Sequence, residues 1–342
     1  MKLVADRIIL ALLSCVMLAF SATSSFAQGD TYKDAFYWNK QLNPGINLDN
    51  AFVMRDGKLR AIEENHLALI ASAGFKSVRI PVVWSTYTGS NAPYTIKPAF
   101  FERVDKIVNE ALANNLIPII NIHHYTAVMK DPAGQEKRFL RMWEQISQHY
   151  ANYSPKLMFE ILNEPSQNLN GEVWNSMLNK AIRVVRKTNP ERILFVGPGY
   201  YNSYTKLSAI ELPRGDHNLI MSLHYYDPMN FTHQGAAWMG DISESWLGTT
   251  WRATEYQRNR VIGHFDIVAE WAENNDVPIH IGEFGAYDKA DMTSRVKWTR
   301  FIREQAEKRG WSWAYWEFCY GYGIYDRHTD EWRTDLLDAL LH

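Results

Sequence analysis

The sequence predicts one α/β domain folded as a (β/α)8 TIM barrel, and three observations favour this class. Short apolar and β-branched runs alternate along the chain with longer stretches of helical periodicity. These short runs are eight in number, which is the number that closes a βα barrel. No Pro/Ser/Thr-rich linker interrupts residues 28–342, so we expect a single domain there. A doubly wound open sheet is the alternative, but the first run is not followed by a Gly-x-Gly-x-x-Gly turn.

The elements follow from the same patterns. The eight predicted strands are residues 45–48, 77–82, 118–123, 157–162, 193–197, 219–225, 278–282 and 312–316. The predicted helices carry apolar residues at helical spacing and span 63–73, 100–114, 135–152, 172–187, 254–274, 292–309 and 335–341. Several of them end at a helix-stop signal, namely Gly74, Asn114-Asn115, Asn274-Asn275 or Gly310. The stretch after the fifth strand has no clear helical pattern.

Composition and charge exclude some classes of function. The 342 residues include 36 Lys+Arg and 38 Asp+Glu, for a net charge of -2, and no segment of the sequence carries a run of basic residues. We therefore do not expect a nucleic-acid partner. The 13 Trp and 18 Tyr suit a cleft lined with flat amphipathic rings, as sugar-binding clefts are.

The first 27 residues predict a signal peptide. Lys2 and Arg7 supply positive charge, residues 8–20 form an apolar stretch, and Ser25-Phe26-Ala27 resembles a small-x-small cleavage site. We expect a secreted or periplasmic protein that begins at Gln28 and has no membrane segment after cleavage. A retained anchor or a lipoprotein site at Cys15 is the alternative.

Polar residues lie in the carboxyl-terminal part of the predicted strands or directly after them. In a βα barrel the carboxyl ends of the strands carry the reactive side chains, so these residues are expected to meet at one mouth. The residues singled out in this way are Asn47, Arg79, His123, His124, Asn163, Glu164, His224, Tyr226, Glu283 and Trp316.

Glu164 and Glu283 follow strands four and seven, so they are expected to face each other across the mouth. Two opposed carboxyls are what cleavage of a glycosidic bond requires, because one must give a proton to the leaving oxygen while the other attacks or activates water. Arg79 and the Tyr226 hydroxyl would favour the charged form of Glu283. Glu164 would need a less compensated site to hold its proton.

The supporting residues have structural alternatives. Arg79 would fit a buried ion pair, and Asn163 a turn cap or a hydrogen bond to a sugar 2-hydroxyl. Of the adjacent His123 and His124, only one points inward on a regular strand. Trp316 would fit the core or stack on a pyranose ring. Trp311 and Trp313 are expected to pack, and Glu317 is left out of the chemistry because it would point the other way from Trp316.

Two other hydrolase classes are disfavoured by spacing. A metal hydrolase would draw on His123, His124, His224 and His280, but the chain has no His-x-His on its first strand, no His-Glu-x-x-His and no Cys pair. A Ser-His-Asp hydrolase lacks Gly-x-Ser-x-Gly. We expect neither a metal nor an organic cofactor.

Five motifs follow one another along the chain and precede Trp316: Arg79-Ile80-Pro81, His123-His124, Leu162-Asn163-Glu164-Pro165, His224-Tyr225-Tyr226 and Gly282-Glu283-Phe284-Gly285. In this order they resemble glycoside hydrolase family 5, over nearly all of the mature chain from Gly45 to the last strand. The resemblance implies a retaining mechanism in which Glu164 is the general acid/base and Glu283 the nucleophile, with the two carboxyls about 5 Å apart. It also implies that Arg79 and Tyr226 hold Glu283, while other residues support the site or bind the sugar: Asn47, His123, His124, Asn163, His224 and Trp316.

The loop after His224 looks like the bacterial endoglucanase branch, which implies a β-1,4-glucan substrate and makes Trp238 a candidate outer stacking platform. A β-mannanase, a mixed-linkage glucanase or a xyloglucan hydrolase on the same site is the alternative, because glucose and mannose differ only at the 2-position. A sugar-binding barrel without turnover is the alternative from another class. Asp49 and Val83 depart from the usual family pattern and bear on substrate preference.

Overall fold

Eight parallel strands close into a barrel in a computed structural model that describes residues 33–48, 54–55, 58–59 and 65–342. Each strand pairs with the next in the chain, and the last pairs with the first, which confirms the predicted class. The strands are β1 (Gly45–Asn47), β2 (Ser77–Val82), β3 (Ile117–Ile122), β4 (Met158–Glu160), β5 (Leu194–Val196), β6 (Leu219–His224), β7 (Ile279–Phe284) and β8 (Ser312–Tyr315).

Seven longer helices of the described part follow the strands on the outside. They are α1 (His66–Ala73), α2 (Pro98–Ala113), α3 (Pro132–His149), α4 (Gly171–Arg186), α5 (Glu255–Asn275), α6 (Met292–Lys308) and α7 (Thr334–Leu341). Between β5 and β6 the chain instead forms a short turn, Gly199–Asn202, and a 3-10 helix, Tyr204–Ala209. This agrees with the missing helical pattern in that stretch.

Shorter elements lie in the loops. They are the helices Ala35–Asn39, Thr126–Lys130 and Met229–Thr232, the 3-10 helices Trp84–Tyr87, Ala237–Met239 and Asp241–Trp246, and the strand pairs Met54–Arg55 with Lys58–Leu59 and Tyr325–Asp326 with Glu331–Trp332. The helix Met229–Thr232 and the 3-10 helices Ala237–Met239 and Asp241–Trp246 belong to the long loop after β6, whose residues contribute to the barrel mouth.

The helix ends follow from local chemistry. α2 and α3 begin earlier than predicted because Pro98 and Pro132 occupy the first helical position, where proline costs no hydrogen bond. α1 ends at Gly74 as predicted, with φ at 109°. The predicted stop signal of α5, Asn274-Asn275, was wrong by one position. The left-handed residue that ends the helix is Asp276, at φ 52°.

The core has two parts. A large cluster packs the helices on the outside of the strands, with Trp143, Trp298 and Trp313 fully buried in it. A smaller cluster fills the amino-terminal half of the barrel interior, and the inward-facing residues of adjacent strands supply it: Ile117, Ile119, Met158, Ile193, Phe195 and Ile220. Gly45 on β1 packs closely against β8: a Cβ atom there would lie 2.4 Å from the Trp313 carbonyl oxygen.

Some sequence expectations lie outside the described residues: the signal peptide at 1–27, the first two residues of the helix predicted at 63–73, and Asp49. Residues 34–342 form one compact unit. Among the residues that the structure describes, no helix combines the length and apolarity needed to span a bilayer. Trp311 and Trp313 are buried packing residues, as expected, and Val83 is buried between β2 and a 3-10 helix.

Candidate active site

A cleft of about 430 Å³ opens at the carboxyl ends of the strands. Seven of the residues singled out from the sequence line it: His123, His124, Asn163, Glu164, Tyr226, Glu283 and Trp316. The other three, Asn47, Arg79 and His224, lie directly beneath it and are almost fully buried. The strand-end argument therefore brings all ten residues to one place, although only some of them face the cleft.

The two carboxyls face each other as expected. Glu164 follows β4 in a left-handed conformation, at φ 50°, and Glu283 lies on β7. One carboxylate oxygen of each lies within 4.8 Å of the other, and His224 Nδ1 lies within the same distance of both. This separation matches the roughly 5 Å of retaining glycosidases and is too short to hold the extra water of an inverting enzyme.

Glu283 is held on both oxygens. Arg79 Nη1 donates to its Oε1 at 2.8 Å, and the Tyr226 hydroxyl donates to its Oε2 at 2.9 Å. The carboxylate is nearly inaccessible to solvent, with a side-chain exposure of 6%. Both contacts were predicted from the sequence, and together they fix the direction in which this carboxylate faces the cleft.

In the described part of the chain, the side chain that hydrogen-bonds to Glu164 is His224, whose Nδ1 lies 2.8 Å from Glu164 Oε1 and 3.5 Å from Glu283 Oε2. Burial would raise the pKa of Glu164, but the hydrogen bond and positive charge of His224 lower it below its ordinary value. Burial has the opposite effect on His224 and would lower its pKa, but the charges of Glu283 and Glu164 and the hydrogen bond to Glu164 raise that pKa above its ordinary value. These opposite shifts favour an ionised Glu164 beside a protonated His224, so the pair holds its proton on the imidazole when no substrate is bound.

One part of the expected charge balance is confirmed, because Arg79 and the Tyr226 hydroxyl favour the charged form of Glu283. The expectation of a less compensated Glu164 is wrong for the substrate-free site. Burial raises the pKa of Glu283, and the nearby Glu164 charge adds to this, against the opposing effects of His224, Arg79 and the Tyr226 hydroxyl. Glu164 was expected to be the less compensated group, yet His224 compensates it directly. The sequence could not show this compensation, because the contact between His224 Nδ1 and Glu164 depends on how the ends of β4 and β6 are placed in the folded barrel.

Arg79 connects the residues below the cleft. Besides Glu283, its guanidinium donates to Asn47 Oδ1 at 2.9 Å, to Asn163 Oδ1 at 2.7 Å and to Glu160 Oε2 at 2.6 Å. Burial alone would lower the pKa of Arg79, but the charges of Glu160 and Glu283 hold it above its ordinary value. Arg79 is thus both a buried ion-pair partner and a ligand of the nucleophile, so the two alternatives weighed from the sequence are both true.

Asn47 and Asn163 have different roles around Arg79. Asn47 is fully buried and donates to backbone carbonyls of β7 and β8, among them Gly282 at 2.9 Å, so it supports the site from below. Asn163 uses its oxygen to accept from Arg79, which leaves its amide nitrogen as the end that can donate to a sugar hydroxyl.

His123 is buried and His124 is exposed, yet both line the cleft, because β3 ends at Ile122 and His124 adopts a left-handed conformation at φ 51°. Asn121 accepts from the Val82 N–H through Oδ1, so its amide nitrogen faces His123 Nδ1 at 3.2 Å. Burial, His124 and Arg79 hold the pKa of His123 well below its ordinary value. His123 is therefore a neutral ring with Nδ1 as acceptor and its proton on Nε2.

Aromatic rings form the walls. Trp316 is half-buried and lies parallel to the His123 ring at 6.0 Å between centroids, with an interplanar angle of 7°. Trp238 is 57% exposed, and Tyr287 and Tyr322 contact its ring. Sequence reasoning singled out Trp316 and Trp238, but missed His233, Tyr287, Tyr320 and Tyr322. The only signal for the last two was the spacing Tyr-Gly-Tyr after the last strand.

Glu160 was also missed, although it is a charged residue inside an apolar strand sequence, Met158-Phe159-Glu160-Ile161. It is 1% exposed and accepts from Arg79 and, at 2.9 Å, from Asn121. Glu317, which was set aside from the chemistry, is buried and accepts hydrogen bonds from the backbone of Cys319, Tyr320 and Tyr322. It shapes the loop after β8.

Within the described residues, one group of side chains has the spacing of a metal site: Glu164, His224 and Glu283. Their donor atoms are already committed to one another and to the Arg79 guanidinium and Tyr226 hydroxyl, which occupy both oxygens of Glu283. This donor set fits a charge-balanced pair of carboxyls better than a cation site.

Comparison with known proteins identifies the family. The model of the cellulase family, glycosyl hydrolase family 5, matches residues 44–321. Endoglucanase H of Acetivibrio thermocellus is 37% identical over 317 residues, which cover 90% of this chain and 34% of that protein. Endoglucanase B of Clostridium cellulovorans is 26% identical, over 86% of this chain and 72% of that protein. This chain thus spans about a third of the length of the first relative.

Solved structures agree with the sequence relatives. Cel5A of Thermotoga maritima in complex with mannotriose superposes with a TM-score of 0.87 and 43% identity, covering 90% of this chain and 100% of the other. The same enzyme in complex with cellobiose gives a TM-score of 0.87 and 44% identity over the same shares. With its motifs, its barrel and its paired carboxyls in agreement, this chain belongs to the cellulase family, glycosyl hydrolase family 5.

Proposed function

We propose that this chain is an endo-β-1,4-glucanase that hydrolyses internal bonds of soluble glucans with retention of anomeric configuration. The observation that carries the proposal is the distance of less than 4.8 Å between carboxylate oxygens of Glu164 and Glu283 at an aromatic cleft. At this separation the second carboxylate reaches the anomeric carbon itself, with no room for an intervening water.

In the first step Glu283 attacks the anomeric carbon as the carboxylate, and the C–O bond to the leaving sugar breaks. Glu164 gives the proton of the Glu164–His224 pair to the departing oxygen. The products of this step are a free sugar hydroxyl and a glycosyl ester on Glu283. Arg79 and Tyr226 hold the attacking carboxylate in position through their hydrogen bonds to its two oxygens.

In the second step Glu164 is ionised and acts as a base. It removes a proton from water, the water oxygen attacks the anomeric carbon, and the ester bond to Glu283 breaks. Two inversions at the same carbon give net retention. His224 helps because its imidazole can take the proton that Glu164 accepts, since the two lie 2.8 Å apart.

The cleft walls suit a chain of flat rings. Trp316 and Trp238 offer faces on which pyranose rings stack, while Asn163 and His123 offer N–H donors near the carboxyls. The relatives support glucan as the substrate, because Endoglucanase H and Endoglucanase B are both named for it. Hydrolysis of β-mannan is a second candidate, because Cel5A of Thermotoga maritima forms complexes with both mannotriose and cellobiose.

Time-resolved proton NMR of cellohexaose and mannohexaose hydrolysis tests the proposal. Early appearance of the β-anomer from cellohexaose is the expected result. Early α-anomer would exclude the two-step mechanism, and faster cleavage of mannohexaose would favour the mannanase. The Glu283→Gln and Glu164→Gln variants are the controls: both should lose hydrolysis and keep oligosaccharide binding, whereas a wild-type protein that binds without turnover would be a sugar-binding barrel.

Export belongs to the proposal as well, on the basis of residues 1–27. Expression of the full sequence in a bacterial host, followed by sequencing of the amino terminus of the exported protein, tests it. A mature chain that starts at Gln28 is expected, and retention of residues 1–27 on a membrane would favour the anchor instead.

A further inference from the structure

Glu160 lies in the barrel interior, one layer below the catalytic mouth. It is the last residue of β4 and pairs with Asn121 and Phe195 on the neighbouring strands. Met158, two residues earlier on the same face, belongs to the apolar cluster that fills the lower barrel. Glu160 is therefore the first charged group above an apolar layer, and its side chain is 1% exposed.

The partners of Glu160 are all donors. Arg79 Nε donates to Oε2 at 2.6 Å, Asn121 Nδ2 donates to the same oxygen at 2.9 Å, and the Ser222 hydroxyl lies 3.5 Å from Oε1. The Arg79 contact uses the edge of the guanidinium that faces away from the cleft. Its other nitrogens, Nη1 and Nη2, are thereby directed to Glu283, Asn47 and Asn163.

Arg79 thus stands between two carboxylates with a single positive charge. Glu160 and Glu283 both raise the pKa of Arg79, which shows how strongly its charge is engaged by each of them. In a buried site an opposite charge favours the ionised form of a carboxyl, and a further negative charge opposes it. An anion on the far side of Arg79 therefore reduces the stabilisation that Arg79 gives to ionised Glu283.

We infer that Glu160 is a positioning residue for the nucleophile: it orients Arg79 toward Glu283 and, through its own charge, keeps Glu283 basic enough to attack. Glu160 does not line the cleft, so it acts through Arg79 and not on the substrate. This inference rests on the proposed function, because it assigns a role relative to the attack by Glu283.

Other ionisable side chains face Glu283 and Arg79, and a test of Glu160 must leave them unchanged. Glu283 is faced by Arg79, His224, Glu164, Tyr226 and Tyr322, and Arg79 is faced by His123 and His280. A change confined to Glu160 leaves all of them in place.

The Glu160→Gln variant removes the charge and keeps the shape. Because both partners of Oε2 are N–H donors, the amide oxygen of glutamine can turn toward them and accept the same two hydrogen bonds. Without the Glu160 charge, Arg79 then stabilises the ionised form of Glu283 more strongly. We expect the acid limb of kcat/KM to move to lower pH by about one unit.

We also expect kcat/KM on its plateau to fall by about threefold, because a less basic carboxylate attacks more slowly. The substrate for this test is 2,4-dinitrophenyl β-cellobioside, whose leaving group needs no proton. Its rate therefore reports the attack by Glu283 without the proton transfer from Glu164. KM should stay within about twofold of the wild-type value, because the cleft walls are unchanged.

Asp216→Asn is the matched control. Asp216 accepts from Arg186 Nε at 2.8 Å and from Nη2 at 2.9 Å, in an ion pair before β6 at the opposite end of the barrel. Loss of this carboxylate should lower the melting temperature and leave the acid limb in place. If Glu160→Gln behaves in the same way, with lowered stability and an unmoved acid limb, the inference is overturned.

Two further outcomes are informative. If Glu160→Gln does not fold, Glu160→Asp replaces it: its shorter carboxylate keeps the charge but withdraws from Arg79 Nε, so slower attack with an unmoved acid limb is expected, and a wild-type rate would overturn the inference. If the wild type does not turn over the cellobioside at all, the proposed function fails, and the inference fails with it. Turnover by the wild type with an unshifted Glu160→Gln profile would overturn the inference alone.

Discussion

His224 lies within reach of both catalytic carboxyls, at 2.8 Å from Glu164 and 3.5 Å from Glu283. Its ring is buried, and burial by itself would favour the neutral form. The two carboxylates outweigh burial, so the pKa of His224 is raised above 6.5. The proton that the first catalytic step consumes is therefore retained by the Glu164–His224 pair up to a pH at which an isolated glutamate would have lost it.

The alkaline limb of activity should thus depend on His224. In the His224→Gln variant the proton is held by Glu164 alone; burial raises the pKa of this carboxyl, but no imidazole remains to store the proton. We expect the alkaline limb of kcat/KM on cellohexaose to move to lower pH by about one unit or more. A pH–rate profile of the variant and the wild type between pH 4 and 9 measures this shift.

The same variant carries its own control. With 2,4-dinitrophenyl β-cellobioside the first step needs no proton, so kcat/KM of His224→Gln should show no such displacement of the alkaline limb. An equal shift with both substrates would show that His224 acts on Glu283 or on binding, and would contradict a proton held by the Glu164–His224 pair.

At single residues the sequence predicts which groups meet but not how their charges balance. Glu164, Glu283, Arg79 and Tyr226 could be placed because each follows a recognisable strand. Glu160 could not, because its inward direction depends on the register Asn121↔Glu160. Nor could the His224–Glu164 contact, which depends on the distance between the ends of β4 and β6. Strand spacing is a local property, whereas charge compensation depends on three-dimensional neighbours.

Secondary-structure elements were predicted well where periodicity is strong and less well where special backbone conformations decide. All eight strands and seven helices occur, with ends displaced by a few residues. Between β5 and β6, Tyr200 and Tyr201 adopt left-handed conformations at φ 55° and 64°, and no helical pattern could indicate them. The cleft residues Tyr320 and Tyr322 lie on an irregular loop after β8, which no periodic pattern could indicate.

The loop after β8 depends on one buried carboxylate. Glu317 is 1% exposed and accepts from the backbone N–H groups of Cys319, Tyr320 and Tyr322 at distances of 2.9 to 3.1 Å. In Glu317→Gln an amide NH2 group would face one of these donors, so at least one hydrogen bond is lost. We expect the free energy of unfolding to fall by about 2 kcal/mol.

Because this loop carries Tyr320 and Tyr322 into the cleft, KM for cellohexaose should also rise, by about threefold to tenfold. Urea unfolding and Michaelis constants measure the two effects. Glu144→Gln is the control: Glu144 pairs with Arg141 on the exposed face of α3, with both side chains about half exposed, so we expect almost no change in stability or KM. An unchanged KM in Glu317→Gln would show that the loop is held by other contacts.

At the scale of the whole molecule, the barrel interior changes from apolar to polar along its axis. Ile117, Ile119, Met158, Ile193, Phe195 and Ile220 fill the lower half, while Glu160, Arg79, His280 and the catalytic groups fill the upper half. His280 lies at the transition, fully buried against Phe195. Its Nδ1 lies 2.7 Å from the Ser312 hydroxyl oxygen, which in turn donates to Asn39, so the ring fits as a neutral Nδ1–H donor.

This position links stability to pH. Burial, with smaller contributions from Arg79 and His224, lowers the pKa of His280 to about 3 in the folded protein. In the unfolded chain the pKa of His280 returns to its ordinary value of 6.5, so below that pH the unfolded state binds a proton that the folded state excludes. The stability that neutral His280 provides is therefore present above about pH 6.5 and is lost as the pH falls toward 3.

Between pH 7 and pH 4 this single group should cost about 3 kcal/mol of unfolding free energy. The His280→Asn variant keeps an N–H donor near Ser312 and does not titrate, so its stability should fall less over that interval, by about that amount. Urea unfolding at both pH values measures the difference. In His217→Gln, which changes an exposed histidine, the pH dependence should match that of the wild type. If His280→Asn and the wild type lose equal stability on acidification, His280 is protonated in the folded barrel, and its burial does not exclude the charge.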